Sequence, residues 1–186
     1  MVTTKLVTAE DLAAMGSDAP YELIEGKLHE VSPSFIAPSM ISQTLSSWLG
    51  PFVRERRLGM LTGEEGGYLL RRNPDTVVAP DLAFVGRRRI PTNHDFQSFF
   101  PGPPDLAVEV VSISDTSADV LRKLALYAAA ETPLVWVVYP TQRAVTVQIP
   151  GEPFRTLGEG DLLTGGEVIP GFEIVVSELF RLPNEE

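Results

Sequence analysis

PPDLAVEVVSISDTSADVLRKLALYAAAETPLVWVVYP, residues 103–140, decides how this chain folds. Its opening part, DLAVEVVS, is a run of small and β-branched apolar residues of strand length, the pattern of a strand buried on both faces. A Ser/Asp-rich turn follows, and then an apolar-periodic stretch that predicts a helix from about Ser117 to Glu131. LVWVVYP reads as a second buried strand. Strand, helix and strand in this order predict a mixed sheet with a crossover, an α/β or α+β layer fold. One residue breaks the pattern. Glu109 places a carboxylate in the middle of the first strand, where an unpaired charge is costly.

The bulk composition narrows what such a fold can be. A chain of 186 residues, 44% hydrophobic and 22% charged, has globular composition and the length of one domain, residues 1–186. With no cysteine, it has neither a disulfide framework nor a thiolate metal site nor a cysteine nucleophile. MVTTKLVTAEDLAAMG lacks the apolar core and cleavage site of a signal peptide, and no apolar run approaches membrane-spanning length. The expectation is a soluble, cytoplasmic protein. The formal net charge of −10 runs against general nucleic-acid affinity. Yet eight of the 15 Lys and Arg fall between Arg54 and Arg89, which leaves room for a local basic patch.

Working outward from residues 103–140, Thr8 to Asp11 (TAED) has the hydroxyl-x-x-acid pattern of a helix start and predicts a short helix to about Met15. YELIEGKLHEVS reads as a hairpin turning at Glu25-Gly26. Ile41, Leu45, Trp48, Leu49 and Phe52 recur at helical spacing after Pro38 and Ser39, with Pro51 expected to kink or split that helix. GYLLR and TVVAPDLAFV are strand-like. Pro80, which cannot donate to a ladder, belongs at a strand start, an edge or a bulge. The stretch from Arg87 to Pro104 reads as a long loop, AVTVQI as a hairpin partner of LVWVVYP, and the tail as a small strand with a closing turn.

Asp81 and Glu109 each fall within an apolar strand segment. Such carboxylates survive burial by pairing or by binding a metal, and two on neighbouring strands offer the hard oxygen ligands that Mg²⁺ takes. Asp119, Lys123 and Tyr127 follow at i, i+4 and i+8, so they share one helix face from which a lysine can lean over the strand ends. The plainer readings are a buried Glu109–Lys123 ion pair, Tyr127 as core with its hydroxyl satisfied, and Glu22 as a surface residue of the first hairpin. His29 and His94 lie in no metal-ligand spacing.

The segments YELIEGKLHEVSPS, VVAPDLAFV, residues 103–140 and LTGGEVIPGFEIVVSELF together resemble the Uma-type restriction endonuclease family, within the PD-(D/E)XK nuclease superfamily. The resemblance covers nearly the whole chain in the right order. It implies a restriction-endonuclease-like core, a central mixed β-sheet flanked by helices, and Mg²⁺-dependent (or Mn²⁺-dependent) hydrolysis of DNA phosphodiester bonds. A metal-polarised water would attack in line, with Mg²⁺ and Lys123 stabilising the charged transition state. Position by position, Asp81 matches the metal-binding aspartate and Glu109 the second acidic ligand. The superfamily's lysine two residues after that acid is Val111 here, and Lys123 takes the place of the family's helix lysine. Glu22, Asp119 and Tyr127 match further family positions and are additional candidates. Relatives often carry a histidine at the start of the long helix, where this chain has Ser39 and Met40. A homodimer is expected as well, since cutting both strands with one site per chain calls for two subunits, with AVTVQI or the long helix as the candidate contact surface.

A second reading stays open: a catalytically inactive nuclease-fold module that binds or interacts, its acids and lysine serving as a structural network. A paired-carboxylate glycoside hydrolase is disfavoured by the apolar strands around the acids and the lack of aromatic sugar platforms.

Overall fold

The computed structural model describes residues 6–16, 19–31 and 35–181. Thr8 caps the short helix α1 (Ala9–Ala13) through a reciprocal capping box with Asp11, as the TAED pattern predicts. Next come β1 (Tyr21–Ile24) and β2 (Lys27–Glu30), joined at Glu25 and Gly26, both at positive φ, the conformation a two-residue hairpin turn requires. Ser32, the last residue of the expected hairpin segment, lies outside the described residues.

Helix α2 (Ile36–Glu55) buries Ile41, Leu45, Leu49 and Val53 on one stripe. Pro51 does not split it. Beyond the proline, Val53 sits in the core and the Phe52 ring packs edge-on against Phe172 at 5.4 Å, holding the last turn in place despite the missing amide donor. Trp48, expected on the apolar stripe, is half exposed.

Strands β3 (Gly59–Gly63), β4 (Tyr68–Arg71), β5 (Thr76–Val78) and β6 (Leu82–Gly86) follow. TVVAPDLAFV is therefore not one strand. It breaks at Ala79-Pro80-Asp81, and its halves enter different sheets. A short 3₁₀ turn (Arg87–Arg89) and β7 (Phe100–Pro101) interrupt the long loop. Residues 103–140 supply β8 (Leu106–Val110), α3 (Ser117–Ala129) and β9 (Leu134–Tyr139), with β8 and β9 parallel, so α3 is the expected crossover. The chain closes with β10 (Ala144–Gln148), β11 (Arg155–Leu157), the hairpin β12 (Leu162–Thr164) and β13 (Glu173–Val175), and a 3₁₀ turn (Val176–Phe180).

The central sheet is mixed, in the order β11-β10-β9-β8-β6-β3, with β8–β9 its one parallel pair. Alternate residues of its inner strands point to opposite faces. Leu82, Phe84, Val108 and Trp136 meet α2 and the closing hairpin on one side. Ala107, Val135 and Val137 meet Leu124 and Tyr127 of α3, with Val78 of the second sheet, on the other. The second sheet, β2-β1-β5-β4-β7, covers β6 on that side through Tyr68 and Phe100 against Ala83 and Val85. Each fully buried leucine of this core, such as Leu45, contributes roughly 2 kcal/mol. Among the described residues no helix is long and apolar enough to cross a membrane.

A candidate acid–lysine site where the two sheets meet

The break at Pro80 builds the site. Leu82 pairs with Val108 in the antiparallel β6–β8 ladder, so one step further Asp81 stands across from Glu109. Asp81 is thus not mid-strand, as the sequence reading has it, but the corner residue just before β6. Its Oδ2 accepts the Val110 amide hydrogen at 2.6 Å, and its carbonyl accepts from Ser42 Oγ of α2 at 3.0 Å. Two residues back, the Ala79 amide donates to Glu22 Oε1 at 3.0 Å. That bond brings β1 into the site. Glu22, expected at the surface, is buried, because β1 lies beside β5 and turns its carboxylate to the same corner.

Helix α3 supplies the rest. Lys123 reaches Glu22 Oε1 at 2.5 Å and Glu109 Oε1 at 3.4 Å. Tyr127, one turn on and fully buried, donates its hydroxyl to Glu109 Oε1 at 2.5 Å. Both plain readings of these residues therefore hold: the ion pair exists and the tyrosine is core. They are also neighbours in one cleft of about 510 Å³, which Glu22, Asp81, Glu109, Lys123 and Tyr127 line together. Asp119 stands at the rim with another task. Its carboxylate accepts from the backbone and hydroxyl of Thr116, closing the capping box that starts α3, and pairs with Arg122 at 2.9 Å. Neither Ser39 nor Met40 lines the cleft.

The electrostatics follow from burial. Desolvation pushes Glu109 up to about 7; Asp81 and Glu22 add to the rise, while Lys123 and the Tyr127 hydrogen bond oppose it. Desolvation likewise lifts Asp81 to about 6, against the pull of the Val110 amide and Lys123. Burial alone would discharge Lys123, but Glu109, Glu22 and Asp81 outweigh it and hold the ammonium above its ordinary range. The same desolvation, with Glu109 beside it, keeps the Tyr127 phenol protonated.

Three carboxyls against one ammonium leave the cleft with an excess of negative charge when all are ionised. Among the described residues no group of three or more His, Cys, Asp and Glu is placed to hold a metal. Two facing carboxylates with water completing the shell are the donor set that a hard, octahedral cation accepts. On the chemistry of that donor set, Asp81 and Glu109 are the residues that would hold such a cation.

A search of curated proteins gives no match. Among solved structures, the fold matches the crystal structure of a "putative nuclease belonging to DUF820" from Anabaena variabilis ATCC 29413. The TM-score is 0.80 and the identity 19%, covering 94% of this chain and 97% of that one. At this identity the likeness speaks for the fold alone: the restriction-endonuclease-like core, a mixed central sheet flanked by helices, is the one expected from the sequence. The Uma2 family model, described as "putative restriction endonuclease", matches residues 8–177, nearly the whole chain, and the protein belongs to that family.

Proposed function

We propose that the protein is a divalent-cation-dependent endonuclease that hydrolyses DNA phosphodiester bonds in the cleft between Asp81, Glu109 and Lys123. Family membership supports a nuclease. The observation that carries the finer reading is the register that sets Asp81 across from Glu109 with a charged lysine beside them. A Mg²⁺ ion held by the two carboxylates would supply charge neutralisation and lower the pKa of water.

The chain's own residues divide the remaining work. Lys123 stays protonated and is no base; it is a fixed cation for the charge that builds on a phosphate in the transition state. Glu22 holds that cation in place and is itself held by the Ala79 amide. The Tyr127 hydroxyl occupies Glu109 Oε1 and fixes the carboxylate's orientation, while the Val110 amide does the same for Asp81. The apolar walls from Val137 and Leu124 lower the local dielectric and strengthen each of these interactions.

The inactive-module reading is favoured by one observation, the close Lys123–Glu22 pair, which would exist without any catalysis. A charge-balanced network would explain that pair alone. It leaves Asp81 and Glu109 facing each other without a second cation. The deciding experiment incubates purified protein with plasmid and single-stranded DNA in Mg²⁺ or Mn²⁺. We expect cleavage by wild type and none by Asp81→Asn; intact DNA under every condition would overturn the nuclease reading.

A further inference from the structure

The acid–lysine cleft is not the one hollow among the described residues. A cavity of about 790 Å³ opens between the carboxyl end of α2 and β3, and three arginines line it: Arg54, Arg57 and Arg87. No acidic residue does. It is also far from the cleft. Gly59, on its floor, pairs with Gly86 at the opposite end of β6 from Asp81, roughly 17 Å away over five strand residues. Leu61 at the cavity packs on the α2 side of the central sheet, whereas Asp81 alternates with Ala83 and faces the other side.

The arginines are uncommitted. Four other members of the same basic run have partners: Arg71 with Glu25, Arg72 with Glu10 and Asp75, Arg89 with Asp105, and Arg56 with Glu55 and the Phe52 ring; Arg88, which does not line the cavity, shows neither a side-chain hydrogen bond nor an ion pair among the described residues. Among the described residues Arg54, Arg57 and Arg87 make no side-chain hydrogen bond or ion pair. The negative end of the α2 dipole would favour Arg54 and Arg57 with no ligand present. It does not account for Arg87, which arrives from beyond β6. Nor does it account for Arg57 at φ 53, the left-handed position closing a helix, where glycine is cheapest. The floor is kept low by necessity: a Cβ on Gly59 would lie 1.9 Å from the Val85 carbonyl oxygen. Arg54, Arg57 and Arg87 are exposed and line one hollow without a carboxylate, so an anion seated there, on a chain of net charge −10, would meet three cations.

We infer that this cavity is a phosphate-binding site, separate from the cleft and independent of whether the cleft cuts DNA. Guanidinium forks match phosphate oxygens bidentately, and several together suit a phosphodiester backbone or the polyphosphate of a nucleotide. The test measures binding to the full chain in EDTA, where cleavage cannot occur, using labelled duplex DNA, a nucleoside triphosphate and inorganic phosphate as separate probes. Wild type is expected to bind at least one. Arg87→Gln alone should weaken that binding several-fold, and the triple Arg54→Gln, Arg57→Gln, Arg87→Gln variant by about tenfold or more. If duplex DNA is the source, the slope of log affinity against log salt should also fall by about one per arginine. Binding of the nucleotide or phosphate but not the duplex would assign the same site to a small ligand. Equal binding by wild type and the triple variant for every probe, no binding by wild type, or loss of binding in Asp81→Asn instead, would overturn the inference. Arg87 is exposed at the end of β6, so its single and charge-reversed (Arg87→Glu) variants keep the test decisive should the triple variant fail to fold.

Discussion

Lys123 Nζ lies 2.5 Å from Glu22 Oε1, a contact between residues 101 positions apart in the chain. The pair joins the crossover helix of the central sheet to the first hairpin of the second. Glu22→Ala would leave a nearly buried ammonium with only the longer Glu109 contact. We expect a loss of roughly 3 kcal/mol, the low end for stripping one partner from a buried pair, because Lys123 keeps some solvent contact. Cleavage should fall at least tenfold while affinity for the divalent ion is largely kept, since Asp81 and Glu109 are the proposed ligands. Chemical denaturation and calorimetric metal titration separate the two effects.

Asp81→Asn and Glu109→Gln are the informative changes at the facing acids. Alanine would orphan the Val110 amide in one case and the Tyr127 hydroxyl in the other. The amides keep an acceptor and remove only charge. Each should lower Mg²⁺-dependent cleavage a thousandfold or more, since several kcal/mol of transition-state stabilisation go with the metal. The metal-free fold should gain stability, seen as a higher melting temperature in EDTA at pH 8.

Stability of the metal-free protein should fall as pH rises. Asp81 and Glu109 hold their protons more tightly when folded, with values near 6 and 7 against ordinary ones near 4. The folded state therefore binds more protons between about pH 4 and 7, and the stability present below that window is lost on passing up through it. The whole effect is a few kcal/mol. Asp75 and Asp119, whose values are lowered, titrate below this range. Melting curves from pH 5 to 8 in EDTA should slope downward, and Mg²⁺ should flatten them; a rise with pH would refute the assignment of the strained carboxyls.

Tyr127→Phe removes the hydrogen bond that favours ionised Glu109. The Glu109 proton should then be held still more tightly, and the acidic limb of the cleavage pH profile should move to higher pH. Stability should drop by about 1 kcal/mol, the cost of one net hydrogen bond.

Double-strand cutting by a single-site chain calls for two copies, and we expect a two-fold dimer. AVTVQI cannot offer its edge, because β10 is flanked by β9 and β11. Among the described residues the edges of the central sheet are β3 and β11. Light scattering that shows only monomer at tens of micromolar would count against the dimer.

The sequence was most legible where one short-range pattern dominates. The apolar runs of β8 and β9 and the apolar period of α3 state their structure locally, and so do TAED and the Glu25-Gly26 turn; the α3 capping box does not figure in the sequence reading, which takes Asp119 only as a member of the site face. Pro80 announces a strand start, an edge or a bulge, but not the point where the chain leaves one sheet for another, since that depends on partners far away. The edge strand β3 carries two glycines and no alternation; it exists because β6 offers it a ladder, and Gly59 is the one residue type that fits against Val85. Glu22 was misjudged for the same reason. Its burial comes from β5 and α3, neither of which its own neighbours in sequence announce. The cavity arginines were visible only as a run of charge, half of which turns out to be paired.

The corner at Ala79-Pro80-Asp81 ties Glu22 and Asp81 to one short piece of backbone, while Glu109 and Lys123 arrive from the crossover unit. During synthesis, Glu22 is made first and waits for a lysine a hundred residues behind it. No fragment short of residue 123 contains the whole cleft, and a chain clipped anywhere in between can lose it. Whatever the cleft does to its substrate, it is assembled only once the first hairpin, carrying Glu22, meets the crossover helix, carrying Lys123 and Tyr127.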